Sequence, residues 1–201
     1  MNKDYTLESF YKYKCIFVHI PKCAGISVAN TLFGNKAYGH LPIIGYQKIF
    51  TTQEFENFFK FTFVRNPWDR LVSAYHFLKN GGFDEIDRAW SKENLSKFDS
   101  FEEFVCDWIS NDGNIWTYNH FIPQYHFILD ANGDSLMDCI GDIENLEEDF
   151  KDISKILGIN STLQHLNVSK RGSYRKYYTP TSRKIVEEIY KHDIALFDYK
   201  F

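Results

Sequence analysis

Two short apolar runs, each cut off by a proline, constrain this chain more than any other feature. Cys15-Ile16-Phe17-Val18-His19-Ile20 is nearly continuous, β-branched in places, and stopped by Pro21. Phe61-Thr62-Phe63-Val64 is a second such run, stopped by Arg65-Asn66-Pro67. Short runs without polar alternation fit strands buried on both faces of a parallel sheet. After each stop the period turns helical. Val28, Ala29, Leu32 and Phe33 follow the first stop; Trp68, Leu71, Val72, Tyr75 and Leu78 follow the second, and Gly81-Gly82 closes that helix. Strand, tight loop and helix, twice over, predict an α/β fold with a central parallel sheet. Ligands of such sheets bind beyond the carboxyl ends of the strands, so chemistry is expected in the two loops.

A length of 201 residues predicts a single domain over 1–201. With 44% apolar and 25% charged residues the chain is ordinary globular material, which excludes disorder and low complexity. Aromatics are abundant, with four Trp, 13 Tyr and 19 Phe, enough for a dense core and for rings in a cleft. The formal charge of −4 argues against a nucleic-acid-binding surface. That mean hides an asymmetry. Asp130 to Asp152 holds nine acids and one Lys, whereas Gln164 to Val186 holds six Lys or Arg and no acid. The basic stretch fits either a site for a small anion or a solvated face. No run approaches the roughly 18 apolar residues of a transmembrane helix, and Met1 to Lys14 lacks the apolar stretch of a signal peptide. Cys15, Cys23, Cys106 and Cys139 show neither Cys-x-x-Cys spacing nor a His cluster. They read as free thiols in a reducing, cytoplasmic setting, with no metal site.

No internal repeat or linker is visible. Ser100-Phe101-Glu102-Glu103 has capping-box spacing. His126 to Asp130 and Leu136 to Ile140 flank Asn132-Gly133, which predicts a hairpin. Ile143, Leu146, Phe150, Ile153 and Leu157 trace one helix face closed by Gly158, and Thr179-Pro180 opens a last helix.

In the first loop, Pro21-Lys22-Cys23-Ala24-Gly25-Ile26-Ser27, small residues let backbone N–H groups converge at a helix N-terminus. Lys22 adds a full charge and Ser27 a hydroxyl, which together describe an anion cradle. An ordinary turn with a solvated Lys and a capping Ser has the same composition. The Walker pattern is absent, because Lys22 stands at the loop's beginning. In the second loop Arg65 lies just off the strand and Ser73 follows eight residues later. The pair fits a phosphate bracket, or equally an Arg tied to a neighbouring Asp and a Ser on a helix face.

The two segments together resemble a known family. Phe17 to Ser27 resembles the 5′-phosphosulfate loop of sulfotransferases that use 3′-phosphoadenosine 5′-phosphosulfate (PAPS). Phe63-Val64-Arg65-Asn66-Pro67-Trp68-Asp69-Arg70-Leu71-Val72-Ser73-Ala74-Tyr75 resembles their 3′-phosphate motif. The likeness is to the carbohydrate branch, with the heparan and dermatan 2-O-sulfotransferases and compact bacterial members. It extends to Pro123-Gln124, Ile140-Gly141-Asp142-Ile143-Glu144-Asn145-Leu146, His165-Leu166-Asn167 and the ending from Tyr177-Tyr178 to Phe201.

The resemblance implies a P-loop-kinase-like sulfotransferase fold, a parallel sheet with helices on both faces, and PAPS as co-substrate without a metal. Lys22 would stabilise the leaving phosphate. The backbone of Cys23, Ala24, Gly25 and Ile26, with Ser27, would hold the 5′-phosphate. Arg65 and Ser73 would hold the 3′-phosphate. Ile26 departs from the Thr that many members carry, which removes one hydroxyl contact. Lys170-Arg171-Gly172 is similar to a nucleotide-closing Arg-Lys-Gly stretch, so Arg171 joins the donor site, while Lys170, Arg175 and Lys176 are set against an anionic acceptor. Sulfuryl transfer needs a base at the acceptor hydroxyl, and histidine is the natural one. The family places it where His40 stands, in Tyr38-Gly39-His40-Leu41-Pro42; His126 is the second choice. A saccharide or glycolipid acceptor is implied, with Trp116 and Tyr118 as candidate stacking rings. The alternatives are an ATP-dependent kinase of related fold and a non-catalytic glycan- or nucleotide-binding protein.

Overall fold

In the computed structural model, which describes residues 6–35, 39–111, 113–164 and 172–201, both apolar runs are strands and lie side by side. Strand β1 is Cys15–Val18, β2 is Phe59–Val64 and β3 is Cys139–Asp142; they run parallel in the order β1-β2-β3. Phe17 stands opposite Phe61, and Phe63 opposite Gly141. The first strand stops two residues before its apolar run does, and the turn follows at residues 21–24. The second begins two residues early, where the N–H of Phe59 donates to the carbonyl of Lys14 (2.9 Å).

The helices in chain order are α1 (Glu8–Tyr13), α2 (Gly25–Phe33), α3 (Ile43–Tyr46), α4 (Thr52–Asn57), α5 (Pro67–Lys79), α6 (Glu85–Asn94), α7 (Phe101–Glu103), α8 (Tyr125–Ile128), α9 (Leu146–Ile156), α10 (Pro180–Ile189) and α11 (Lys191–Leu196). They fall into two compact units. The first runs up to Arg65 and resumes at Gln124, and it holds the whole sheet. The second comprises Asn66–Pro123 and the described residues from Gly172 to Phe201, and the elements it holds are helical.

In the first unit β1 is buried throughout and β2 from Lys60 onward, as strands covered on both faces must be. Phe17 stacks on Phe61 at 5.0 Å between centroids. Gly141 is needed on β3 because a Cβ there would stand 2.6 Å from the Phe63 ring. Asp149 on α9 accepts the N–H of Asp142 (2.7 Å) and the side-chain amide of Asn145 (2.8 Å), fixing the turn out of β3. Lys60 is the charged exception inside the sheet, only 8% exposed. Its ammonium donates to the carbonyls of Phe55 (3.2 Å) and Phe58 (2.8 Å) and pairs with Asp138 (3.1 Å). The same carboxylate accepts the N–H of Lys60 (2.7 Å), locking the register of β2 against the entry to β3. Burial alone pushes the Cys15 thiol up to about 12.

The second unit packs an aromatic core of its own. Phe104 stacks on Trp108 at 5.3 Å and Trp108 meets Phe121 at 5.1 Å. Two buried rings pair their polar atoms with backbone: Tyr190 Oη donates to the Phe121 carbonyl (2.8 Å) and Trp68 Nε1 to that of Arg183 (3.1 Å). Asn66 caps α5 by accepting from the N–H of Trp68 (3.2 Å), with Pro67 in the first turn. Thr179 caps α10 as expected, here in a reciprocal box with Ser182.

Two local expectations change. The box at Ser100 is half made: Ser100 accepts from the N–H of Glu103 (3.1 Å), but the Glu103 carboxylate reaches the N–H of Asp99 (2.9 Å) instead. After α7 the helix then widens to a π-helical turn over Phe104–Ile109. The hairpin around Asn132-Gly133 shrinks to one bridge, Leu129 to Ser135. Its first arm coils into α8 and its second pairs with β2, a partner whose lengthwise parallel ladder outweighs a short local turn.

Asp138→Ala removes the partner of a buried ammonium, so it should destabilise the fold by about 1–3 kcal/mol. Urea unfolding of the variant checks this, and an unchanged midpoint contradicts the assigned lock.

Candidate active site

Beyond the end of β1 the backbone enters the left-handed region twice, at Lys22 (φ 69°) and Ala24 (φ 54°), with Cys23 between them on the ordinary side. Such alternation gathers successive N–H groups around a concavity suited to an anion. Helix α2 begins at Gly25 with no side-chain cap among the described residues. Its first-turn N–H groups have no intrahelical acceptor, and the helix dipole adds partial positive charge there. Ser27 lies in this turn, only 4% exposed, and its carbonyl accepts from the Thr31 hydroxyl (2.7 Å). Ile26 is half-buried. Each left-handed non-glycine residue costs about 1–2 kcal/mol. Such strain persists only where neighbours over-determine the geometry. Here they do: the N–H of Cys23 donates to Ile20 (3.3 Å), and Arg65 Nη1 donates to the carbonyl of Lys22 (3.0 Å).

The bond from Arg65 to Lys22 brings the two sequence loops together at the ends of adjacent strands. A guanidinium has five N–H donors, so this bond uses one and orients the planar group. Gln124, fully buried and part of the first unit, contacts both loops: Oε1 accepts from the N–H of Arg65 (2.9 Å) and the thiol of Cys23 (3.2 Å). Sequence reasoning marked Pro123-Gln124 only as a family likeness. Nothing in spacing or hydropathy tells a stapling amide from any other Gln.

His40 joins the same place. Its Nδ1 lies 2.8 Å from the carbonyl oxygen of His19, and the two imidazoles meet edge-on at 4.3 Å between centroids. A carbonyl only accepts, so Nδ1 carries the hydrogen, and in the neutral ring Nε2 is the proton acceptor. His19, 6% exposed, sits where a Cβ on Gly25 would be, 1.8 Å from its Cδ2. Gly25 therefore has a packing reason in this chain: it admits the imidazole of His19, the residue whose backbone carbonyl bonds His40.

Lys22, Ser27, His40 and Arg65 thus cluster at the carboxyl ends of β1 and β2. Ser73 stands in the middle of α5, half-buried, in the second unit. Arg171 and Lys170, with His165-Leu166-Asn167, lie outside the described residues. The chain leading to them is fastened to α2, with the N–H of Gln164 donating to Thr31 Oγ1 (3.1 Å). The guanidinium of Arg175 lies over the rings of Tyr174 (5.0 Å) and Phe201 (5.8 Å). His126 is exposed on α8. Tyr118 is not a platform for sugars: its ring stacks on Trp90 at 4.4 Å and its hydroxyl bonds Asp87. Trp116 is 44% exposed. All four cysteines are free thiols. Among the described residues no three His, Cys, Asp or Glu side chains gather as a metal site requires, and no helix is long and apolar enough to cross a membrane.

Comparison with known proteins gives this geometry its class. A profile described as the Sulfotransferase family matches residues 9–200, and the chain belongs to that family. An uncharacterized protein of Archaeoglobus fulgidus is 34% identical over 124 residues, covering 61% of this chain and 87% of its own length. Carbohydrate sulfotransferase 10 of Gallus gallus is 25% identical over 169 residues, covering 71% of this chain and 47% of its own. The chain therefore spans about half the length of that curated relative. A crystal structure of mouse sulfotransferase SULT7A1 complexed with PAP superposes with a TM-score of 0.48 at 13% identity, over 92% of this chain and 88% of the mouse chain.

Gly25→Ala forces a methyl group into the His19 ring and should cost about 1–3 kcal/mol. It should also shift the imidazole resonances of both His19 and His40 in NMR spectra. A change confined to His19 contradicts the coupling of the two rings.

Proposed function

We propose that this chain, as a single sulfotransferase domain, moves the sulfuryl group of PAPS to a hydroxyl of a saccharide or glycolipid. The observation that carries the reading is the bond from His40 Nδ1 to the His19 carbonyl, which leaves Nε2 as a base beside the anion loop. The name of the chicken relative supports a carbohydrate acceptor, and the four free thiols suit a cytoplasmic setting.

His40 Nε2 removes the proton of the acceptor hydroxyl as its oxygen forms a bond to sulfur. In the same in-line step the bond from sulfur to the bridging oxygen breaks, and adenosine 3′,5′-bisphosphate departs. Lys22 balances the charge that collects on the leaving phosphate, while the backbone of Cys23, Ala24, Gly25 and Ile26, with Ser27, holds that phosphate in place. Arg65, Ser73 and Arg171 bind the nucleotide, the first two at its 3′-phosphate. Positioning and electrostatics supply most of the catalysis, as in phosphoryl transfer. The missing hydroxyl at Ile26 weakens donor binding without abolishing it, because backbone donors remain.

Calorimetry with adenosine 3′,5′-bisphosphate, AMP and ATP tests the donor assignment. Wild type should prefer the bisphosphate, and Arg65→Ala should lose that preference; equal or absent binding of all three sinks the proposal. His40→Ala should lower the transfer rate about 10²–10⁴-fold while the nucleotide still binds. Retention of full activity in that variant would move the base elsewhere.

A further inference from the structure

Gln124 is 0% exposed, and its side-chain amide is committed at both ends. Oε1 accepts from the N–H of Arg65 (2.9 Å) and from the thiol of Cys23 (3.2 Å), while Nε2 donates to the carbonyl of Arg65 (2.8 Å). One acceptor and one donor paired with both backbone groups of a single residue is the pattern a neighbouring strand would provide. Arg65 is the first residue past β2, so the amide continues the strand's pairing where the strand ends.

We infer that Gln124 is a positioning residue: it adds one rung to β2 and thereby joins Arg65 and Cys23 into one rigid element, fixing the spacing at which the 5′-phosphate loop and Arg65 meet the nucleotide. This rests on the donor reading of the two loops proposed above. The role needs a primary amide. A carboxylate at this position has two acceptors and sets one of them against the Arg65 carbonyl. A protonated carboxyl regains a donor. Methionine keeps the bulk and offers neither.

The test compares wild type, Q124E and Q124M, each first shown to be folded by circular dichroism. Alkylation of Cys23 by N-ethylmaleimide, followed by peptide mass spectrometry, reads the clamp without any nucleotide, with buried Cys15 as the silent reference. Calorimetry with adenosine 3′,5′-bisphosphate reads its consequence. At neutral pH Q124M should react at Cys23 about tenfold faster or more, and both variants should bind the bisphosphate about tenfold more weakly or worse. Burial raises a carboxyl's pKa, so the carboxyl of Q124E becomes protonated as pH falls. Q124E should then recover towards wild type at the same pH, while Q124M should not.

Unchanged alkylation and affinity in both variants overturn the inference. Faster alkylation with unchanged affinity also overturns it, since Gln124 would then only fill space. So does an equal loss in both variants with no recovery at low pH. If wild type binds no bisphosphate, the donor reading fails and takes the nucleotide role with it; the alkylation rate of Q124M then decides the rung alone.

Discussion

Because β2 is buried on both faces, its backbone groups must find partners inside the protein, most of them on neighbouring strands, and the first unit follows from that requirement. Strands Cys15–Val18 and Cys139–Asp142 supply the partners on either side, both parallel to it. Parallel pairing puts all three carboxyl ends on one edge. His19, Arg65 and the turn after Asp142 therefore come to the same side of the sheet, and the helices that return the chain must start there. The cluster of Lys22, His40 and Arg65 is a by-product of that geometry, since ligands of open α/β sheets bind beyond the carboxyl ends of the strands.

Two strands and the helices after them were legible because a buried parallel strand leaves a plain mark: a short run without alternation, then a proline. The third strand was not. Cys139-Ile140-Gly141-Asp142 is half exposed at the sheet edge and carries a glycine, so its composition reads as a turn partner. Only its ladder with β2, and the Phe63 ring lying over Gly141, make it a strand. The capping signal at Thr179 survived folding because it is local. The Ser100 box did not survive whole, since Glu103 found the N–H of Asp99 nearer to hand.

Site residues divide in the same way. Residues of the first loop were visible as a motif, since small residues and a lysine before a helix leave a pattern in one dimension. The imidazole pair was not, because His19 and His40 are far apart in sequence and meet through a backbone carbonyl. Nor was the reason for Gly25 evident. Glycine before a helix suggests room for an anion, whereas here its missing side chain also makes room for the His19 ring. The same limitation applies to aromatics: composition alone could not distinguish the packed Tyr118 from the exposed Trp116.

The pairing of Gln124 with Arg65 has a consequence for how the chain can change length. Arg65 and Gln124 are the residues at which the segment Asn66–Pro123 departs from the first unit and rejoins it. Hydrogen bonds of 2.9 and 2.8 Å hold those two ends together. Closing a loop whose ends are already joined costs little more as it grows, about 0.6 kcal/mol for each doubling. Length changes confined to the turns between the helices of this segment thus leave the anchoring residues undisturbed. Divergence in length is tolerated in those turns, while the strand ends and their loops stay fixed.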